Sequence, residues 1–100
     1  MTNINPDDLT VEKNDAANQF EIRVGDAVAF LTFDMRGDYV VFVHSQVPPE
    51  LEGKGLGGKL ASAALTWARD NDVKAVPLCP YVAGYLNRHP EFEDAVFRQG

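Results

Sequence analysis

The chain has 100 residues, 45% hydrophobic and 24% charged, and size scaling lets a chain of this length bury roughly 65% of its unfolded surface, enough for one thin core and too little for a second domain. Its only cysteine, Cys79, excludes an internal disulfide and points to a reducing compartment, and no apolar run reaches the roughly 18 residues of a membrane-spanning helix. The net charge of −6 arises in residues 1–50, where three cations face nine carboxylates, while residues 51–100 carry six of each; without clustered Lys and Arg the composition argues against nucleic-acid binding but leaves a small phosphate ligand open on the neutral half.

Residues 1–18 are rich in Asn, Asp and Thr and read as a mobile lead-in with an early short strand at residues 9–11. They are too polar for a secretion signal, so the expected location is the cytoplasm. From Gln19 onward Phe20, Ile22 and Val24 alternate with Glu21 and Arg23, the period-two pattern of a half-buried strand. Gly25-Asp26 turns the chain into a β-rich run at residues 27–35 (AVAFLTFDM). Arg36-Gly37-Asp38 then turns it into a third strand at residues 39–47 (YVVFVHSQV). Three strands joined by two short turns predict an antiparallel meander.

Pro48-Pro49 ends the third strand, and residues 50–58 (ELEGKGLGG) form a glycine-rich loop. Leu56, Leu60, Ala64, Trp67 and Ala68 then recur at helical spacing, predicting an amphipathic helix of about 15 residues that stops near Asn71-Asp72. Residues 73–79 (VKAVPLC) predict a short strand, residues 82–88 a second helix broken before Pro90, and residues 91–97 a last helical turn or two. Trp67, Phe92 and Phe97 are assigned to packing. The order β-β-β-loop-α-β-α is an α/β (α+β) arrangement. Its crossover requires the strands at 39–47 and 73–79 to lie side by side and parallel. The fold is expected to occupy residues 19–100 as a single domain.

The loop is the most informative stretch. The first backbone N–H groups of a helix have no helical partners, and with the positive end of the helix dipole they suit a phosphate. Gly53, Gly55 and Gly57 remove side chains that would hold a diphosphate away, and Lys54 and Lys59 add charge from the flanks. The competing reading is that these glycines serve only a tight turn and close helix–sheet packing. A Walker loop is excluded because Lys54 is followed by Gly55 instead of Ser or Thr. The dinucleotide fingerprint is excluded by its Gly-x-Gly-x-x-Gly spacing.

Val47-Pro48-Pro49 followed by Glu52-Gly53-Lys54-Gly55-Leu56-Gly57-Gly58-Lys59-Leu60 resembles the diphosphate loop of the GNAT acetyltransferases, Gln/Arg-x-x-Gly-x-Gly/Ala. The resemblance extends through Ala75-Val76-Pro77-Leu78-Cys79-Pro80-Tyr81 and His89-Pro90-Glu91-Phe92, a combination similar to the compact, single-domain YjdJ-like branch. Glu52 stands where the family carries Gln or Arg; a carboxylate there would face phosphate, so its side chain is expected to point away and cofactor affinity to be reduced. The resemblance implies a GNAT-like fold in which the parallel strand pair splays and acetyl-CoA binds at the cleft mouth. It also implies transfer of an acetyl group to a small-molecule or peptide amine, by a monomer or weak homodimer. Val47, Gly53, Lys54, Gly55, Leu56, Gly57, Gly58 and Lys59 are the expected cofactor contacts.

Three residues are candidates for the chemistry. His44 and Gln46 share a face of the strand before the loop. Where the family often carries a glutamate that takes the amine proton, Gln46 has no basic group, so the general-base role falls to His44 or is absent, and the competing reading of His44 is a histidine that only hydrogen-bonds at a strand end. Cys79 ends the neighbouring strand between Pro77 and Pro80, which cannot donate ladder hydrogen bonds. It is a candidate acyl-accepting nucleophile or a small cleft-lining hydrophobe. The family precedent of a tyrosine that protonates the leaving thiolate falls on Tyr85 in preference to Tyr81. His89 has no second metal ligand near it in the sequence, so no metal site is expected. Two rival functions remain: a non-catalytic CoA-binding or sensor module, suggested by Glu52, Gln46 and the short chain, and a purely structural interaction domain.

Overall fold

The computed structural model describes residues 9–97. Five strands, β1 (Glu12–Asn14), β2 (Gln19–Val24), β3 (Ala27–Arg36), β4 (Tyr39–Gln46) and β5 (Lys74–Pro77), form one sheet in sequence order. The first four are antiparallel and β4–β5 is parallel. Helix α1 (Leu56–Asp70) crosses between the parallel strands, and α2 (Pro80–Arg88) follows β5. Short 3-10 turns at Pro49–Leu51 and Pro90–Ala95 complete the order. The α/β arrangement predicted from hydrophobic periodicity is the one observed.

The early strand lies at Glu12–Asn14, three residues beyond the expected position. Turn chemistry sets this register: Asn14 Oδ1 accepts the Ala17 N–H at 3.1 Å, and Asn18 adopts φ 54°, so the chain reverses there and pairs Asn14 with Gln19. Lys13 fastens the strand. Its ammonium lies 5.1 Å from the Phe33 ring centroid and 4.6 Å from that of Trp67, and it pairs with Asp15. Residues 9–18 are thus described as part of the folded unit, whereas residues 1–8 of the expected lead-in lie outside the described residues.

The core lies between one sheet face and α1. Phe20, Ile22, Ala29, Leu31, Phe33, Val40 and Phe42 supply the sheet side, and Leu56, Leu60, Ala61, Ala64, Leu65 and Ala68 the helix side. The alanines allow α1 to approach the sheet closely. Phe20 contacts Phe33, Phe42 and Trp67, with ring centroids 5.4, 6.3 and 6.0 Å away. Val82, Tyr85, Leu86 and Phe92 extend the same cluster. Phe97 departs from its core assignment. It is 42% exposed and packs on Tyr39 at 5.2 Å, because Val96 bridges Ala75 and the Phe97 N–H donates to the Ala75 carbonyl at 2.8 Å along the outer edge of β5.

Two irregularities shape the region beside the loop. The parallel ladder ends at Phe42–Pro77, where proline has no N–H to continue it. The Cys79 N–H makes the final link to the Phe42 carbonyl at 2.8 Å, and α2 starts at Pro80, two residues before the expected start. In β4, Thr32 pairs with His44 and Phe33 with Phe42, so Val43 is an unpaired bulge residue. Past that point β4 remains paired with β3 alone, and its other edge is open.

Candidate functional site

The loop bends through Gly53 and Gly55, whose φ angles of 81° and 74° fall in the left-handed region that favours glycine. Gly55 precedes the first residue of α1 and supplies no side-chain cap, and the first intrahelical bond runs from the Lys59 N–H to the Gly55 carbonyl at 3.1 Å. The Leu56, Gly57 and Gly58 amides are therefore the helix-start donors without an intrahelical acceptor. At Gly57 the constraint is steric: a Cβ there would lie 2.7 Å from Tyr81 Cζ, so the exposed Tyr81 ring, which lies against the first turn of α1, would have to shift.

These elements enclose a cavity of about 440 Å³, within the range typical of small-ligand sites. Gly53, Gly55, Leu56 and Gly57 form its loop wall, Ser45 and Val47 its β4 wall, and Tyr81 closes the remaining side. Five of the eight expected cofactor contacts are on this wall: Val47, Gly53, Gly55, Leu56 and Gly57. Lys54 is not among the lining residues, and Gly58 and Lys59 line a second, shallower hollow of about 640 Å³ with Ser62, Tyr85 and His89. Among the residues that line the cleft, the groups suited to an anion are therefore backbone amides at the start of α1 and not lysine side chains. Glu52, expected to point away from the phosphate position, is among the residues that line the cleft.

The catalytic candidates are not brought together. His44 and Gln46 do share a face, but it is the face away from the cleft. The bulge at Val43 shifts the alternation by one, so that Ser45 and Val47 follow Phe42 inward. The His44 ring is exposed and its centroid lies 6.2 Å from that of Phe30 on the open side of the sheet. Cys79 is 2% exposed and stands behind the cleft wall, its Sγ donating to Ser45 Oγ at 3.4 Å. Tyr85 is buried and stacks on His89 with centroids 4.0 Å apart, in the wall of the second hollow. Tyr81, set second to Tyr85 on the sequence, is the tyrosine at the cleft. Ser45 is the residue that sequence reading missed: without the bulge, strand alternation turns it away. Among the described residues no group of three or more His, Cys, Asp and Glu is arranged to hold a metal ion, and no helix is long and apolar enough to cross a membrane.

Parallel strands that part beside a glycine loop at a helix start form a recognisable arrangement, and a family model described as GCN5-related N-acetyl-transferase matches residues 19–95. The chain belongs to that family. Among its relatives, Protein NATD1 of Mus musculus is 31% identical over 85 residues, covering 82% of this chain and 77% of the mouse protein. Protein NATD1 of Danio rerio is 29% identical over 93 residues, covering 88% of this chain and 84% of the fish protein. A solution NMR structure from Staphylococcus aureus, described as GCN5-like, superposes with a TM-score of 0.71 at 25% identity, covering 92% of this chain and 91% of that one. The fold is thus the GNAT fold, a five-stranded mixed sheet with its parallel pair at β4–β5, and the family is one of acyltransferases acting on amines.

Proposed function

We propose that the protein is an acetyl-CoA-dependent N-acetyltransferase that acts on a small-molecule or peptide amine. The observation that carries this reading is the continuity of the cleft: the glycine wall at the start of α1 and the edge of β4 released by β5 line one cavity. The residues fit a diphosphate. The left-handed Gly53 and Gly55, with nothing within 4 Å of where a Cβ would stand, leave the helix-start amides approachable, and donors so placed stabilise negative charge. Val47 and its neighbours on β4, unpaired on the cleft side, supply backbone groups for the amides of a pantetheine arm. When bound, acetyl-CoA supplies the thioester carbonyl that an amine attacks.

An alkyl amine of lysine type is unprotonated in only about one molecule in 2,500 at pH 7, so the acceptor must lose a proton before attack. An acceptor approaching from the open face of the sheet meets His44 there, which makes His44 the group to take that proton. The lone thiol, buried at Cys79, is what supports the cytoplasm as the site of action. Incubation with labelled acetyl-CoA and an amine panel tests the reading. Transfer to at least one amine is expected, and binding of coenzyme A without any transfer would contradict it.

One observation favours a second reading, a CoA-binding module without turnover. Glu52 lines the wall that would face phosphate, and His44, Cys79 and Tyr85 occupy three separate surroundings. That reading predicts cofactor binding that no amine converts into product.

A further inference from the structure

We infer that Ser45 is the residue that holds the sulfur end of the acyl donor, with Cys79 behind it as a positioning residue. This rests on the cofactor reading given above and adds to it a specific group and direction. Three observations converge on Ser45. The Val43 bulge turns its side chain from the open face into the cleft. The residue lines that cleft at the end of β4, past the point where the parallel ladder stops. Its oxygen accepts the Cys79 S–H at 3.4 Å. A serine hydroxyl has one hydrogen to give. With its oxygen accepting the thiol hydrogen from behind, the serine keeps its own hydrogen to give to a ligand in the cavity.

With its diphosphate held by the amides of Gly53–Gly57, a bound donor would carry its thioester toward Ser45, where β4 and β5 part. In the transfer step the amine nitrogen forms its bond to the carbonyl carbon and the C–S bond breaks. The electron pair of that bond leaves on sulfur, and the proton that His44 takes from the amine is returned through solvent to the sulfur. Ser45 gives no proton away; it donates a hydrogen bond that strengthens as the sulfur becomes negative. Cys79 forms no bond to the acetyl group. It orients the serine, which explains a thiol that is 2% exposed and turned to a hydroxyl instead of to the cavity.

The test compares binding of coenzyme A and of desulfo-coenzyme A, which lacks only the sulfur, by calorimetry on the full chain. The wild type should bind coenzyme A about two- to tenfold more tightly, the range of one hydrogen bond. Ser45→Ala should erase that preference while binding desulfo-coenzyme A as the wild type does. Cys79→Ser, which restores a donor behind Ser45, should retain the preference, and Cys79→Ala should reduce it. In turnover assays Ser45→Ala should lower kcat roughly tenfold or more with little change in KM for the donor. A preference unchanged in Ser45→Ala, or an acetyl group found on Cys79 by mass spectrometry during turnover, overturns the inference with the cofactor reading intact. Binding of neither ligand removes the cofactor reading itself. A backbone spectrum of each variant confirms that the fold is retained.

Discussion

Gly55 and Glu21 show two ways in which one residue governs this molecule. Gly55 holds φ at 74° immediately before α1 with open space around its Cα, so its requirement is conformational and not steric. Gly55→Ala should therefore cost about 1 kcal/mol, lowering the melting temperature by about 4–8 °C for a domain of this size, and should weaken coenzyme A binding because the following amides turn with it. Thermal denaturation and calorimetry on the same sample check both effects. Glu21 is a carboxylate only 3% exposed on the sheet face away from α1. A hydrogen bond from Gln19 at 2.7 Å, with further ones from Arg23 at 3.1 Å and Asn14 at 3.4 Å, holds its carboxyl below the usual carboxylate range against the opposing effect of burial. A group whose folded value is lowered stabilises the fold above its ordinary value, near pH 4.3 for glutamate, and loses that contribution as pH falls through the lowered value. Urea midpoints should hold steady from pH 7 to about pH 5 and fall below it. Glu21→Gln should start lower at pH 7 and fall less steeply in acid, and equal acid slopes would contradict this role.

Strand β4 shows how much of the element scale was legible in the sequence. The meander, its turns at Gly25-Asp26 and Gly37, and α1 with its stop at Asn71 follow from periodicity and turn chemistry, which are local. The bulge is not local. Residues 39–43 are apolar at every position, so neither parity marks the buried face, and only pairing with β3 shows that Val43 is extra. One unpaired residue then reverses the roles of His44 and Ser45. The Cys79–Ser45 contact joins positions 34 apart in sequence, and the choice of Tyr81 over Tyr85 depends on how α2 meets the first turn of α1. The loop glycines were readable because left-handed backbone and exposed helix-start amides are written in the residues themselves. Cysteine accessibility tests the facing of β4. In a Cys79→Ala background, bound desulfo-coenzyme A should slow alkylation of Ser45→Cys at least severalfold and leave His44→Cys unaffected. Protection of His44→Cys alone would mean that the alternation is unbroken and that the bulge assignment is wrong.

At the scale of the whole molecule, one sheet face and α1 make the core, and the opening of the parallel pair at its edge makes the cleft. The split depends on Pro77 ending the ladder and on α2 beginning at Pro80, so stability and site share their residues: Phe42 is fully buried and its carbonyl takes the last link from Cys79. The charge distribution agrees with this division. Residues 1–50, which include the meander, carry the excess carboxylates, and the glycine loop belongs to the neutral half. Titration of the isotope-labelled chain with coenzyme A, followed through the backbone amide signals, tests this architecture most directly. The account predicts large shifts at residues 53–58 and at residues 45–47, with Val28 and Thr32 on the open face unmoved. Signals at residues 53–58 that stay in place at millimolar excess of coenzyme A, or shifts confined to the open face, would contradict it.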